Sequence, residues 1–563
     1  MLARIRSFAR RFLIVTLIAV GAMCGVLAVL FHWCVETARD FLIGFALERD
    51  EALWRVILIV ATPAIVFGAI AFVIRRFAPR AVGANLARVR MAYNEEPSLL
   101  GPRSVLATFF ATPLSLGAGA PLGPEGPITV ITSGFAAAAG RALGLPRKLV
   151  RGMIPVGVAA GIAAIFNAPI TGVVFALEEV VGTAERGLLG GVLVGAVAAA
   201  VVERMLLGGR ALLAAPSATW NDPRELIGFA IVGAIGGVVS GGAIATAHRL
   251  KTAWARVMPS IPLRVALAGL LIGAGGLIEP RALGVGYESV SLWLHGGGTA
   301  RVTAIAFLVK VVLVVIALSA GVLGGSFAPS LFIGTALGAA AGHLAQAWFP
   351  AMGIDPKAYA IIGMGAFFAG LLRSPIAAIL IVIEVTRDYD LVLPLMLGVS
   401  LAVAISRSIS KLSLVEQQMI DEGFIESSGG DPLADVTVRD AMTAEPLTMR
   451  DDVTVGEAGE MLHRFYPVVD ADGRLAGILS RDAVMRAEKE TLIRDLIDQP
   501  VLVASVDEHV VDVVARMRMQ RVDRCPVVDA SRRVVGFLSP SDILRARIAH
   551  SGEPEEASFE LFQ

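Results

Sequence analysis

The sequence predicts an all-α protein of many membrane spans, followed by a smaller cytoplasmic α/β tail built from two copies of one unit. Three observations carry that prediction. The 563 residues are 55% hydrophobic and 17% charged, against about 25% charged in soluble domains, and apolar segments follow one another to Ile409 with short polar joints. After Lys411 the composition changes sharply, with charges every few positions. Each of the two parts also contains a pattern that occurs twice.

The first apolar run, Phe12 to Phe31, follows Arg4, Arg6, Arg10 and Arg11. It is about 20 residues long, enough for ~30 Å of hydrocarbon, and no small-residue cleavage site closes it. It therefore reads as a retained span rather than a signal peptide, and the arginines place its start in the cytoplasm. A second run, Val56 to Ile74, ends at Arg75, Arg76 and Arg80 and returns the chain to the same side. The 59 glycines suit membrane helices that pack closely or break. Zero net charge gives no bulk pull toward nucleic acid. Three widely spaced cysteines, Cys24, Cys34 and Cys525, do not make a disulfide framework.

Within the membrane part, Gly123-Pro-Glu-Gly-Pro127 puts a carboxylate between glycines and prolines. An ionisable group at membrane depth costs a few kcal/mol or more and marks a functional site by default. The flanking Gly and Pro leave the backbone irregular and start a helix whose free N–H groups face outward. Such a helix start inside a bilayer suits an anion. Glu125 would compete for that place when ionised and leave it when protonated, which describes a gate for anions that also handles protons.

The segment has an echo. Gly325-Ser-Phe-Ala-Pro329 repeats its G-x-x-x-P, and Gly157 to Pro169 pairs with Gly363 to Pro375, each Gly twelve residues before its Pro. Nine residues past each proline stands a glutamate, Glu178 and Glu384. Transporters made of two repeated halves place substrate at the repeat interface among discontinuous helices. Glu178 and Glu384 read as structural partners at helix ends, Lys310 as a snorkelling or paired cation, and Asn167 as a cap at a broken helix.

After a linker assigned to residues 413–432, two units of the tail follow, residues 433–488 and 489–550, then an acidic tail, 551–563. Val438-Arg-Asp-Ala-Met442, Pro467-Val-Val-Asp470 and Gly477-Ile-Leu-Ser480 are matched by Ile493-Arg-Asp-Leu496, Pro526-Val-Val-Asp529 and Gly536-Phe-Leu-Ser539. The first unit looks shortened before Pro467. No Walker-type phosphate loop occurs, so ATP-driven pumping has no support, and no nucleophile–base or metal-ligand constellation suggests an enzyme.

At these residues the chain, over positions 1–412, resembles the CLC family of chloride channels and chloride/proton antiporters. GPEGP is similar to the family's G-R-E-G-P, GSFAP to G-x-F-x-P, and NAPITGVVFALEE to N-A-P-x-x-G-x-x-F-x-x-E-E. The resemblance implies a homodimer with one pore per subunit, and halves inverted relative to each other within each subunit. It implies an integral protein of the plasma or inner membrane with both termini cytoplasmic. It places Glu125 on the external gate and Glu179 on the internal proton-transfer glutamate. Gly126, Gly325, Ser326 and Phe327 fall on the anion-binding backbone. The tail resembles a pair of CBS domains, which in some proteins bind ATP, ADP or AMP; Ser539 and Asp542 keep the spacing of the ribose- and phosphate-binding residues, while Ser480-Arg-Asp482 is one residue short.

The chain departs from the family where side-chain hydroxyls would touch the central anion. Aligning on Ala78-Pro79 puts Ala84 at the serine of G-S-G-I-P, and Ser413-Leu-Val415 puts Val415 at the tyrosine of S-I-Y. Pro124 replaces the arginine of G-R-E-G-P. Losing two donors, at about 1.5–3 kcal/mol each for bonds to a charged group, would weaken anion binding and coupling. Chloride is the first expectation for the anion. Exchange of chloride for protons, a passive anion channel, and a transport-dead nucleotide sensor all remain open on the sequence; Glu179 favours the first, Ala84 and Val415 the second.

Overall fold

Proline sets where many of the membrane helices begin. In the computed structural model, residues 2–44, 52–78, 85–94, 97–182, 186–208, 213, 216–220, 222–422, 433, 436–458, 465–497, 502–520, 522 and 524–550 are described. The chain divides into two units, Met1–Ile425 and Glu426–Gln563.

In the first unit the helices run α1 (Leu2–Arg39), α2 (Ala52–Phe77), α3 (Leu86–Asn94), α4 (Pro102–Gly117), α5 (Glu125–Ala142), α6 (Arg147–Phe166), α7 (Pro169–Phe175) and α8 (Arg186–Leu207). The same order of two long helices, a short one, a further helix and then the helix that starts at the Gly/Pro motif recurs in α9 (Glu225–Val257), α10 (Ile261–Ile278), α11 (Tyr287–Leu294), α12 (Ala300–Ala320), α13 (Phe327–Trp348), α14 (Pro356–Leu372), α15 (Pro375–Thr386) and α16 (Val392–Ile409). Among the described residues, nine helices are long and apolar enough to cross a membrane.

Pro102, Pro169, Pro356 and Pro375 open their helices at the position where a missing N–H costs nothing. Asn167 and Arg373 close α6 and α14 in the left-handed conformation, at φ 51° and 65°. The repeated glycines are packing residues. A Cβ on Gly157 would lie 2.5 Å from Ser133 Cα on α5, and one on Gly363 2.8 Å from Gly338 N on α13. In both halves the glycine therefore lets its helix lie directly on the backbone of the helix before it.

The linker expected over 413–432 is shorter than its composition indicates. Residues Leu414–Asp421 form α17, which belongs to the first unit. Ser413 and Glu416 make a capping box, Glu416 N to Ser413 Oγ at 3.2 Å and Ser413 N to Glu416 Oε2 at 2.7 Å. Leu414, Val415 and Met419 are buried, so a locally polar stretch hides one apolar face. Residues 423–432 and the acidic tail, 551–563, lie outside the described residues, as does the stretch 459–464 before Pro467.

Among its described residues the second unit contains α18 (Val438–Ala441), α19 (Arg481–Arg486), α20 (Val510–Gln520), α21 (Pro540–His550) and seven strands. One sheet orders β2 (Met449–Arg450), β3 (Phe465–Val469) and β4 (Leu475–Ser480). The other orders β1 (Thr443–Ala444), β7 (Val534–Leu538), β6 (Cys525–Val528) and β5 (Ala504–Ser505). Strand β1 comes from the first sequence copy yet pairs with β7 of the second, Thr443 opposite Phe537. The repeated aspartates turn the hairpins: Asp470 Oδ1 accepts from the N–H of Asp472 and Arg474, and Asp529 Oδ1 from those of Ser531 and Arg533.

Candidate functional site

The two Gly/Pro loops meet each other. Gly123 N donates to Gly325 O at 2.8 Å and Gly325 N to Gly123 O at 2.6 Å, an antiparallel bridge between the halves. A Cβ on Gly126 would come within 3.0 Å of Gly325 Cα, and one on Gly325 within 2.6 Å of Gly126 N. Only glycine allows this approach. Helices α5 and α13 both begin at the bridge, so two sets of first-turn N–H groups, unpaired within their own helices, start from one place.

Glu125 is buried there. Its Oε2 accepts from Ala328 N at 3.3 Å, in the first turn of α13, and its Oε1 accepts from the hydroxyl of Tyr287. The carboxylate therefore occupies a position that a helix start offers to an anion. Beside it lies a small, partly open cavity whose lining includes Gly126, Gly325, Ser326, Phe327 and Val415. The N–H groups of Ser326 and Phe327 have no protein acceptor among the described residues. The Phe327 ring packs on Phe166, Phe175 and Phe368, with centroids 4.8, 5.5 and 4.4 Å away, which fixes the start of α13.

Six of the site residues anticipated from the sequence thus line one cavity, Glu125 with the five just named. Ala84 lies outside the described residues. Glu179 is also buried but is not part of that lining. It sits in the π-helical turn Ala176–Val181 after α7, and its Oε1 accepts from Ser374 Oγ at the start of α15. Such turns carry one residue more than an α-turn and are frequent at functional sites.

Glu178 and Glu384 are structural, and they answer each other across the halves. Glu178 Oε1 and Oε2 accept from Ile376 N at 3.3 Å and Ala377 N at 2.9 Å, at the start of α15. Glu384 Oε1 and Oε2 accept from Ile170 N at 3.1 Å and Thr171 N at 2.6 Å, at the start of α7. Lys310 is fully buried and paired with carbonyls, Ala282 O at 3.0 Å and Gly284 O at 2.6 Å, below the face of Phe332. It ties down the loop that leads into Tyr287. Asn167 Oδ1 accepts from Arg204 Nε at 3.0 Å, a tie between α6 and α8.

Four polar lining or contact residues among the described ones were not anticipated: Tyr287, Asn85, Gln418 and Thr129, the last on α5 one turn after Glu125. Gln418 had a readable signal, standing three residues after Val415 and so on the same helical face. Asn85 had one as well, an Asn just before an apolar helical run. Nothing local marks Tyr287, which reaches Glu125 across 162 positions.

In the tail, Asp542 is buried and both its oxygens are engaged. Oδ2 accepts from Ser539 N at 2.9 Å and Ser539 Oγ at 2.6 Å; Oδ1 accepts from Thr443 Oγ1 at 2.8 Å and Arg545 at 2.9 Å. The pair Ser539–Asp542 acts here as the cap of α21 and as a tie to β1.

Comparison with known proteins gives matching descriptions. A family model described as voltage gated chloride channel matches residues 66–407, and the CBS domain model matches 438–490 and 493–549. The H(+)/Cl(-) exchange transporter ClcA of Cronobacter sakazakii is 30% identical over 394 residues, which cover 68% of this chain and 84% of the relative. That of Vibrio cholerae is 32% identical over 399 residues, 67% and 82% of the two chains. Among solved structures, a eukaryotic CLC transporter superposes with a TM-score of 0.69 at 21% identity, covering 94% of this chain and 97% of that one. A slow cyanobacterial Cl-/H+ antiporter gives 0.68 at 23%, covering 74% and 99%. At these identities the two structures show the fold.

Proposed function

The chain belongs to the voltage gated chloride channel family, and from that premise we propose that it exchanges chloride for protons across a membrane, with Glu125 as the outer gate and Glu179 as the inner proton carrier. The observation that carries this reading is the placing of the Glu125 carboxylate on the first-turn N–H of Ala328, beside the cavity bordered by Ser326 and Phe327. An acid and a halide cannot hold the same donors together. Ionised Glu125 occupies them; protonated Glu125 gives them up, and an anion takes its place. The proton then passes to Glu179, which leads to the opposite face. Tyr287 holds the ionised carboxylate closed.

Loose coupling follows from Val415, whose side chain turns methyl groups instead of a hydroxyl to the cavity. That same residue supports the second reading, an uncoupled anion channel. Purified protein in liposomes under an imposed chloride gradient separates them. Uphill proton movement supports exchange, anion flux alone supports the channel, and silence removes both.

The reading extends to a homodimer with cytoplasmic termini, regulated through the CBS pair. An adenine nucleotide at Ser539 and Asp542 would have to displace Thr443 or Arg545 from Asp542 Oδ1. Calorimetric titration with ATP, ADP and AMP tests that point; no heat with any of the three leaves the tail as a folded gating module.

A further inference from the structure

Opposite the gate, the cavity is lined by two carboxamides that the family resemblance does not supply. Asn85 stands at the start of α3, where its Oδ1 accepts from Arg88 N at 3.3 Å. Its Nδ2 donates to Gln418 Oε1 at 3.0 Å. Both amide oxygens, the atoms that would repel an anion, are thus turned to protein donors. What remains is Gln418 Nε2, whose hydrogens meet no protein acceptor among the described residues. The side chains of Asn85 and Gln418 line the same cavity as Ser326, Phe327 and Val415. Locked head to tail, the pair offers that space donors only.

The pair has no net charge, so an anion held by it is not trapped, as conduction requires. Helix α17, which carries Gln418, is anchored without it. The capping box holds its start, and Asp421 Oδ2 pairs with Lys251 Nζ at 2.9 Å near its end. Next to Asp421, Glu422 pairs with Arg88 at 3.1 Å. The Nε2 end of the amide takes no part in these ties or in the bond to Asn85.

We propose that the Asn85–Gln418 pair forms a second anion-binding position of the pathway. Gln418 Nε2 there takes a small, partly dehydrated monovalent anion such as chloride, in relay with the N–H groups of Ser326 and Phe327. This rests on the reading of the cavity as an anion path. It also gives the chain side-chain donors of its own where Val415 supplies none.

Chloride binding to the purified full-length protein, measured by isothermal titration calorimetry, tests it without requiring transport. Gln418→Leu weakens binding about tenfold, the loss of one bond to an anion. Gln418→Glu, of the same shape but with acceptors in place of donors, removes this position at neutral pH, so that chloride binding falls at least as far as in Gln418→Leu and only what the N–H groups of Ser326 and Phe327 hold remains. Asn85→Asp keeps the cap oxygen and removes the donor that orients Gln418, so binding falls there too. If the leucine variant does not fold, Gln418→Met is measured in its place. Parent-like affinity in the Gln418 variants, in a parent that binds chloride, overturns the proposal and leaves the exchange reading standing. A parent that binds no chloride overturns both.

Discussion

The hydroxyl of Tyr287 donates to Oε1 of Glu125, so this buried carboxylate is held from two sides, by α11 and by the first turn of α13. The backbone bond belongs to the proposed anion site; the tyrosine bond does not. On that proposal Tyr287 is a positioning residue, and its removal should act on Glu125 without touching the N–H groups at the start of α13.

Tyr287→Phe removes a bond to a charged group, worth about 1.5–3 kcal/mol. Anion flux should rise, because the closed carboxylate is less well held, while chloride binding measured by calorimetry stays near the parent. A variant with parental flux and weakened chloride binding would show that Tyr287 serves the anion directly.

Lys310 acts one step further back. Lys310→Met leaves the carbonyls of Ala282 and Gly284 without their donor in a buried place, at a cost of about 1–3 kcal/mol for each unsatisfied group. The melting temperature in detergent should drop. Because those carbonyls lie just before Tyr287, flux should change in the direction of Tyr287→Phe.

Glu178 and Glu384 hold one another's half. Glu384→Gln keeps an oxygen for one N–H of α7 and loses the charge-assisted character of both bonds. We expect a stability loss of about 1–2 kcal/mol, read as a lower melting temperature, with the proton-to-chloride ratio unchanged. A changed ratio would instead put Glu384 among the proton carriers.

In the tail, burial pushes the Cys525 thiol up to about 12, and its Sγ donates to Leu502 O at 3.3 Å. The thiolate is the reactive form, so Cys525 should resist alkylation at mildly alkaline pH until the unit unfolds. With the folded value above the unfolded one, the contribution to stability is full below about pH 9 and is lost as pH rises toward 12. Mass spectrometry of maleimide adducts checks this; rapid labelling of the native protein would show that Cys525 is not buried in solution.

Much of the architecture was legible because membrane helices carry it in composition and in repeated Gly and Pro. The likeness of the Gly123 and Gly325 motifs was legible, but not that their backbones pair, which only the folded halves show; the equal spacing of Glu178 and Glu384 from their prolines reflected equal tasks. Tyr287 was not legible, because its role arises only when α11 folds against α13 and brings the hydroxyl to Glu125. Helix α17 was missed for a different reason. Its polar residues made a linker composition, although Ser413 and Glu416 spelled a capping box. The sharing of β1 between the two tail units was hidden too, since two residues carry no periodicity.

The proposed exchange rests on Glu125 and an anion taking turns at the same donors. Paired chloride and proton fluxes of Glu125→Gln in liposomes, beside the parent, test this most directly. The parent is expected to drive protons uphill on a chloride gradient, and the variant to pass chloride while moving no protons. Proton movement that survives neutralisation of Glu125, at the parental ratio to chloride, would contradict it.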